Sequence, residues 1–479
     1  FASPLIFSVH EAKGLEYDHV ILYGFVAAAR KEFASIVEGV TPSDLQTETL
    51  VYGRSRDKTD KSHEALKFYV NALYVGLTRA VESVILVDQE VNHPLLNLLQ
   101  VTEASDTESL GNSQSSLDDW QQEARRLELQ GKQEQADRIR STILKTEPVP
   151  WPVHDITTVV ELGKKVFAQD RPNKKEQLAL LERSTVWNCT ESVNALASRG
   201  YAFAAKSRKN VLEYIKGSHY QEYQSEKISS IDPKLRRYGI DFLNQFGESP
   251  LAVATKLFKG NLVKELLHRG ASPEWVGECS LTLPRLLLRE LLEGIHPREE
   301  EAARTVYEQV GRLPMRVKFG NRVYKVEPHH IEHLLLNLFI LLLPRKRFIR
   351  SFNDIPALSV DELVTAVSKI PDSIVPEARK RRKYLQYVLT KNEVFRDTPY
   401  NRRLLLRVKS GWYSLNPRLD LELKGEWIPV FKALKLEEQL KSCLSNAPLH
   451  LHCEETFLAS LPTLLEKGEL PGFSIEDFR

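Results

Sequence analysis

Two short segments carry polar residues at spacings suited to chemistry: Phe7-Ser-Val-His-Glu-Ala-Lys-Gly-Leu-Glu-Tyr-Asp-His-Val-Ile-Leu22 and Leu73-Tyr-Val-Gly-Leu-Thr-Arg-Ala80. In the first, Gly14 permits a tight backbone turn, and Lys13 and Glu16 flank it on a loop between two strand-like runs. Ligands of open α/β sheets bind at loops that follow strand ends. In the second, Thr78-Arg79 ends the apolar run Leu73–Leu77, so a guanidinium projects where it can clamp a phosphate. A loop carboxylate and an arginine at the edge of an α/β sheet point to nucleotide chemistry.

The elements that must position these groups follow from the residue pattern. Leu5–Val9 and His19–Phe25, rich in β-branched, aliphatic and aromatic residues, predict strands. Residues 27–61 are polar and irregular and read as an insertion. Ser62–Leu73 has helical spacing, with Leu66, Val70 and Leu73 on one face, and Ser83–Asp88 predicts another strand. Strands alternating with helices predict a parallel α/β sheet.

His10-Glu-Ala-Lys-Gly-Leu-Glu16, followed by Val20-Ile-Leu22, resembles motif V of the UvrD/Rep-like superfamily 1 helicases, and Tyr74-Val-Gly-Leu-Thr-Arg-Ala80 resembles their motif VI. The resemblance covers residues 1–100. It implies the second RecA-like domain of an ATP-dependent DNA helicase, closing on ATP and Mg2+ held mainly by the first. Carried over, Arg79 would contact the γ-phosphate and stabilise transition-state charge. Gly14 and Glu16 would lie near the nucleotide, and Ser8 and His10 would touch single-stranded DNA. Ser8 stands where the family more often has threonine. No Gly-x-x-x-x-Gly-Lys-Ser/Thr loop occurs in the sequence, and Gly163-Lys164-Lys165 lacks its partner glycine and hydroxyl. The expectation is that a first RecA-like domain precedes Phe1 and that this chain alone does not hydrolyse ATP. The other reading is a non-catalytic scaffold carrying a helicase remnant.

The remaining sequence reads as scaffold and a basic module. A chain of 479 residues, 42% hydrophobic with a net charge of +2, predicts several globular domains, and the small net charge alone excludes no class of partner. Four scattered cysteines and no signal peptide or membrane-length apolar run suit a cytoplasmic or nuclear setting. Residues 101–117 are too polar to bury anything and predict a flexible linker and a domain boundary. Residues 118–147 predict a tetratricopeptide-like helix hairpin broken at Gly131. Residues 153–328 predict a helical region, in which 238–273 resembles an ankyrin repeat: Pro250 opens one helix, Gly260 divides it from the next, and Gly270 closes the pair. Helicase-like segments followed by such repeats resemble the tetratricopeptide and ankyrin repeat-containing group. These repeats would offer a face to a protein partner.

Residues 329–435 predict a winged helix, with a buried helix Ile331–Leu343, a capped helix from Ser359, a basic helix Pro376–Lys391 and a hairpin turning at Ser410-Gly411. Residues 344–409 hold 16 Lys and Arg against 7 Asp and Glu. Arg379, Lys380, Arg381, Arg382 and Lys383 are its candidate DNA or RNA contacts, against the reading that they form a solvated face. Residues 436–479 predict a helical tail. His329, His330 and His333, and His450, His452 and Cys453, lack the spacing of a zinc site. The fold class expected is multidomain, an α/β RecA-like half-domain followed by helical repeats and an α+β winged-helix-like module.

Overall fold

The computed structural model describes residues 5–46, 62–102, 115–169, 172–187, 189–277, 280–345, 356–396 and 401–436. It is mixed helix and sheet, and the chain divides into two compact units, Phe1–Leu144 and Lys145–Arg479. Each is taken by itself.

In the first unit β1 (Tyr17–Tyr23), α1 (Arg30–Val37), α2 (Ser62–Leu77), β2 (Ala80–Val87) and α3 (Pro94–Leu98) follow one another. β1 and β2 pair in parallel, with Leu22 opposite Leu86 and Tyr23 opposite Val87. A parallel pair needs a crossover, which the intervening helices supply. On α2, a Cβ at Gly76 would come 3.1 Å from Leu22 Cδ2, so glycine there lets the helix close on the sheet. Tyr69 and Leu73 carry its packing against a core of Val26, Phe33, Val37, Leu95 and Leu96. Val70, expected on the buried face, is exposed, because it lies round the helix from the Tyr69–Leu73 stripe. The side chain of Leu66 lies outside the described residues.

Leu5–Val9, expected as a strand, is turn and coil. The Glu11 carboxylate folds back on Ser8, accepting from its backbone N–H (2.8 Å) and its hydroxyl (2.7 Å). That local cap bends the segment instead of extending it. One face of the β1–β2 pair is open, with Ile21 59% and Tyr23 77% exposed, although parallel sheets are ordinarily covered on both faces.

The hairpin expected after the linker is present as α4 (Leu117–Leu129), opened by a Ser116–Asp119 capping box, and α5 (Gln133–Arg138), which runs on through a wider turn to Ile143. Its Ala124, Leu127, Ala136 and Ile139 share one core with Leu15. The first unit therefore extends to Leu144, past the boundary expected at 101–117. Most of that linker lies outside the described residues.

The second unit opens with α6 (Ile156–Phe167), α7 (Lys174–Val186), α8 (Thr190–Ser198), α9 (Arg208–His219) and α10 (Asp232–Tyr238). In the ankyrin-like stretch, α11 (Pro250–Lys256) is capped by the Ser249 hydroxyl, and α12 (Gly260–His268) ends before Gly270, which takes φ +88°. Past β3 (Val276–Gly277) and β4 (Leu281–Thr282) come α13 (Leu283–Glu293) and α14 (Glu300–Val306). A Cβ at Gly260 would lie 2.8 Å from Thr305 Cγ2, so glycine is needed where α12 meets α14.

The C-terminal part runs β5 (Met315–Phe319), β6 (Arg322–Val326), α15 (Ile331–Leu342), β7 (Leu358–Ser359), α16 (Val360–Ser368), α17 (Glu377–Lys380), α18 (Arg382–Lys391), β8 (Leu405–Lys409), β9 (Trp412–Leu415), β10 (Leu419–Leu423), β11 (Glu426–Pro429) and α19 (Val430–Ala433). Two antiparallel sheets result, of order β7-β9-β8 and β11-β10-β5-β6. The second joins residues 315–326, which precede the boundary expected at 329, to residues 419–429. The single basic helix expected over Pro376–Lys391 is broken at Arg381, whose ψ is 134°. Lys380, tied to the Ile370 carbonyl and Asp372, and Arg382, tied to Asp361, fix the chain on either side of the break. The tail expected over 436–479 lies outside the described residues after Leu436. No described helix is long and apolar enough to cross a membrane.

A buried polar chain ties α13 to α15. Arg285 Nε donates to Asn337 Oδ1 (3.0 Å), Asn337 Nδ2 approaches His333 Nδ1 (3.5 Å), and His333 Nε2 donates to the Leu313 carbonyl (2.8 Å). Burial pushes the His333 imidazole down to about 4, and the Arg285 guanidinium acts in the same direction, against the Leu313 bond. An unfolded histidine titrates near 6.5, so between these values the unfolded chain holds a proton that the folded chain lacks. Stability from this residue is complete above about pH 6.5 and falls as pH drops towards 4, by about 3 kcal/mol at pH 4. Urea unfolding of wild type and His333→Gln at pH 7, 5 and 4 is expected to show a shallower loss in the variant; equal losses would remove His333 as a source.

Candidate nucleotide and nucleic-acid sites

The two chemistry-bearing segments of the first unit meet at Arg79. Arg79 lies between α2 and β2, separated from the helix end by Thr78, and its half-buried guanidinium donates through Nε to the Val75 carbonyl (3.2 Å) and through its terminal nitrogens to the Leu15 carbonyl (3.1 Å) and the Thr78 hydroxyl (3.1 Å). The Tyr17 N–H donates back to the Arg79 carbonyl (2.9 Å). Gly14 takes φ +87° with open space where a Cβ would stand, so it serves conformation and not close approach. Glu16 and His10 are exposed, and the His10 ring lies 5.5 Å from that of Phe68. Ser8 is engaged with Glu11, whose carboxyl its bonds hold below the ordinary range.

Both segments lie at the N-terminal ends of β1 and β2. The position expected for His10–Glu16, after the end of a strand, depended on Leu5–Val9 being one, which it is not.

The segment is held from the α4–α5 hairpin, a feature its own sequence does not announce. Arg126 donates to the Glu16 carbonyl (2.5 Å) and lies 4.3 Å over the Tyr17 ring, and Lys132 donates to the Glu11 carbonyl (2.6 Å). The Tyr17 hydroxyl donates to Glu123 (3.0 Å); burial first, then that carboxylate, pushes it up to about 12. Leu15 is fully buried among the hairpin's apolar residues. Leu15→Ala is expected to destabilise this unit by about 3 kcal/mol through the cavity it leaves. Faster amide exchange over 117–144 would report it, and unchanged exchange would count against this packing.

In the second unit the basic run divides into spent and free cations. Arg379 donates to the His329 carbonyl (3.1 Å), Lys380 pairs with Asp372 (2.5 Å), and Arg382 pairs with Asp361 (2.7 Å) and donates to Gln386 (3.1 Å). Arg381 and Lys383 are exposed and, among the described residues, no side chain holds either. Beside them stand Tyr384, 36% exposed, and Tyr387, 64% exposed. These tyrosines were absent from the expected site, although their spacing within Arg382-Lys-Tyr-Leu-Gln-Tyr387 was the available signal.

Among the described residues no group of three or more His, Cys, Asp or Glu side chains is placed to hold a metal ion. No family model matches the chain, and neither the curated proteins nor the solved structures include a significant match to it.

Proposed function

We infer that residues 1–100 are the arginine-bearing part of a superfamily 1 DNA helicase, coupling ATP hydrolysis to movement along single-stranded DNA together with a separate phosphate-binding lobe. The observation that carries the reading is the bond from Arg79 to the Leu15 carbonyl, which brings the motif VI-like and motif V-like segments together beside a parallel β1–β2 pair. The open face at Ile21 and Tyr23 also supports further α/β structure packing on that pair. ATP fits this half-site in part. Arg79 already holds oxygen acceptors and is the group that would hold a phosphate, whereas the Gly14 loop bears no phosphate-cradling sequence. Bound ATP would supply the phosphoryl group.

The module over 329–435 supports a winged-helix reading through its order of helices and strands and its β7-β9-β8 sheet. The α11–α12 pair supports an ankyrin-like one, with a protein partner on the repeats.

A second reading, a non-catalytic scaffold, is favoured by one observation. The Arg79 guanidinium bonds to oxygens of its own chain, at the strand edge opposite to that where α/β sheets ordinarily take ligands. DNA-stimulated ATP hydrolysis separates the two. The complete protein is expected to turn over ATP and the 479-residue chain alone to show none. Turnover by the chain alone, or none by the complete protein, overturns the helicase reading.

A further inference from the structure

We propose that the exposed face of α18 is a docking surface for unpaired DNA, with Tyr384 and Tyr387 stacking on bases and Arg381 and Lys383 contacting the flanking phosphates. The helix packs through Leu385, Val388 and Leu389, all buried, which turns Lys383, Tyr384 and Tyr387 outward. The tyrosines are three residues apart, so their rings start about 4.5 Å apart along the axis. No acidic residue occurs from Arg379 to Lys391, so the face is complementary to a polyanion. Of the five cations Arg379–Lys383, the two that no side chain holds among the described residues, Arg381 and Lys383, stand just N-terminal to these rings.

The same residues argue against reading of a duplex. Recognition in the major groove relies on forked side chains such as arginine reaching base edges. Here Arg379 and Arg382 are bonded within the protein, and the helix that would enter a groove begins only at Arg382. What the surface offers instead is aromatic rings, and these need base faces that a duplex hides. Stacking tolerates any sequence, so little base preference is expected.

The choice of DNA over RNA rests on the helicase reading, whereas the preference for an unpaired strand rests on α18 alone. The test is fluorescence anisotropy of the 479-residue chain with a labelled twenty-nucleotide oligothymidylate, the matching duplex and oligouridylate, without ATP. Tighter binding of the single DNA strand is expected. Tyr384→Ala with Tyr387→Ala should weaken it by about thirty-fold or more, and the double phenylalanine variant should keep most of it. Arg381→Ala with Lys383→Ala should lower the magnitude of the salt slope by about 1.4. Tighter binding of the duplex or the RNA, or an unchanged affinity in the double alanine variant, overturns the proposal. Both tyrosines are exposed, so loss of fold is not expected, and circular dichroism checks it. ATP turnover is read separately on the complete protein: its absence there beside tyrosine-dependent strand binding sinks only the helicase reading, and its presence beside tyrosine-independent binding sinks only this one.

Discussion

Arg79→Ala in the complete protein is expected to lower DNA-stimulated ATP hydrolysis by about a thousand-fold or more, the scale of losing a guanidinium that meets charge on a transferring phosphoryl group. Arg79→Lys is expected to recover little, because an ammonium cannot reproduce a planar fork of donors. The fold should change far less. The variant gives up the bonds to the Val75 and Leu15 carbonyls and the Thr78 hydroxyl, each worth about 1 kcal/mol, while the parallel β1–β2 register and the packing of Leu15 on the α4–α5 hairpin remain. Amide exchange across 17–23 and 80–87 measures that side of the prediction. If turnover survives with the strands intact, Arg79 is a stitch between two segments and the role assigned to it at the transferring phosphoryl group is removed.

Local signals survived into the structure where neighbours in sequence were enough to satisfy them. Ser359 and Glu362 form the capping box their spacing announces, and Ser249 with Pro250 starts α11 as the sequence requires. The hairpin at Gly320-Asn321, where Phe319 faces Arg322, was also legible as a two-residue loop between alternating strands, although the helical expectation for 153–328 passed over it. Long-range effects were not legible. Nothing near Arg381 marks a helix break; the break is fixed by Asp361, Ile370 and Asp372. Likewise Leu15 reads as part of a nucleotide loop, and only the fold reveals that it anchors that loop to a hairpin more than a hundred positions on. At the candidate site the residue types of the motif V-like and motif VI-like segments were readable, whereas their placement was not: Arg79 and Leu15 meet, but the strand assumed before them is absent. In the basic run, charge was readable but availability was not, since three of its five cations are bonded within the protein.

Glu248→Ala is expected to destabilise the second unit by about 3–5 kcal/mol, because it strands a cation inside the core. Lys256 is buried at the end of α11, and its ammonium meets Glu248 Oε1 at 2.8 Å. The other carboxylate oxygen accepts from the Tyr220 hydroxyl and lies 3.4 Å from Asn244 Nδ2. Burial lowers the pKa of Lys256, opposed by Glu248 and then by Glu290, so removing Glu248 leaves the lysine without its hydrogen-bonded carboxylate, either charged or neutral at a cost in protons. The Tyr220 hydroxyl, buried and pushed well above its ordinary range, loses its acceptor in the same step. Replacing both members, Glu248→Leu with Lys256→Met, removes the charges together and is expected to restore most of the loss, since an apolar pair of similar volume often matches a buried ion pair. Urea unfolding of the two variants and wild type gives the comparison. If the double variant is as unstable as Glu248→Ala, the penalty lies in the lost bonds to Tyr220 and Asn244 and not in the stranded ammonium.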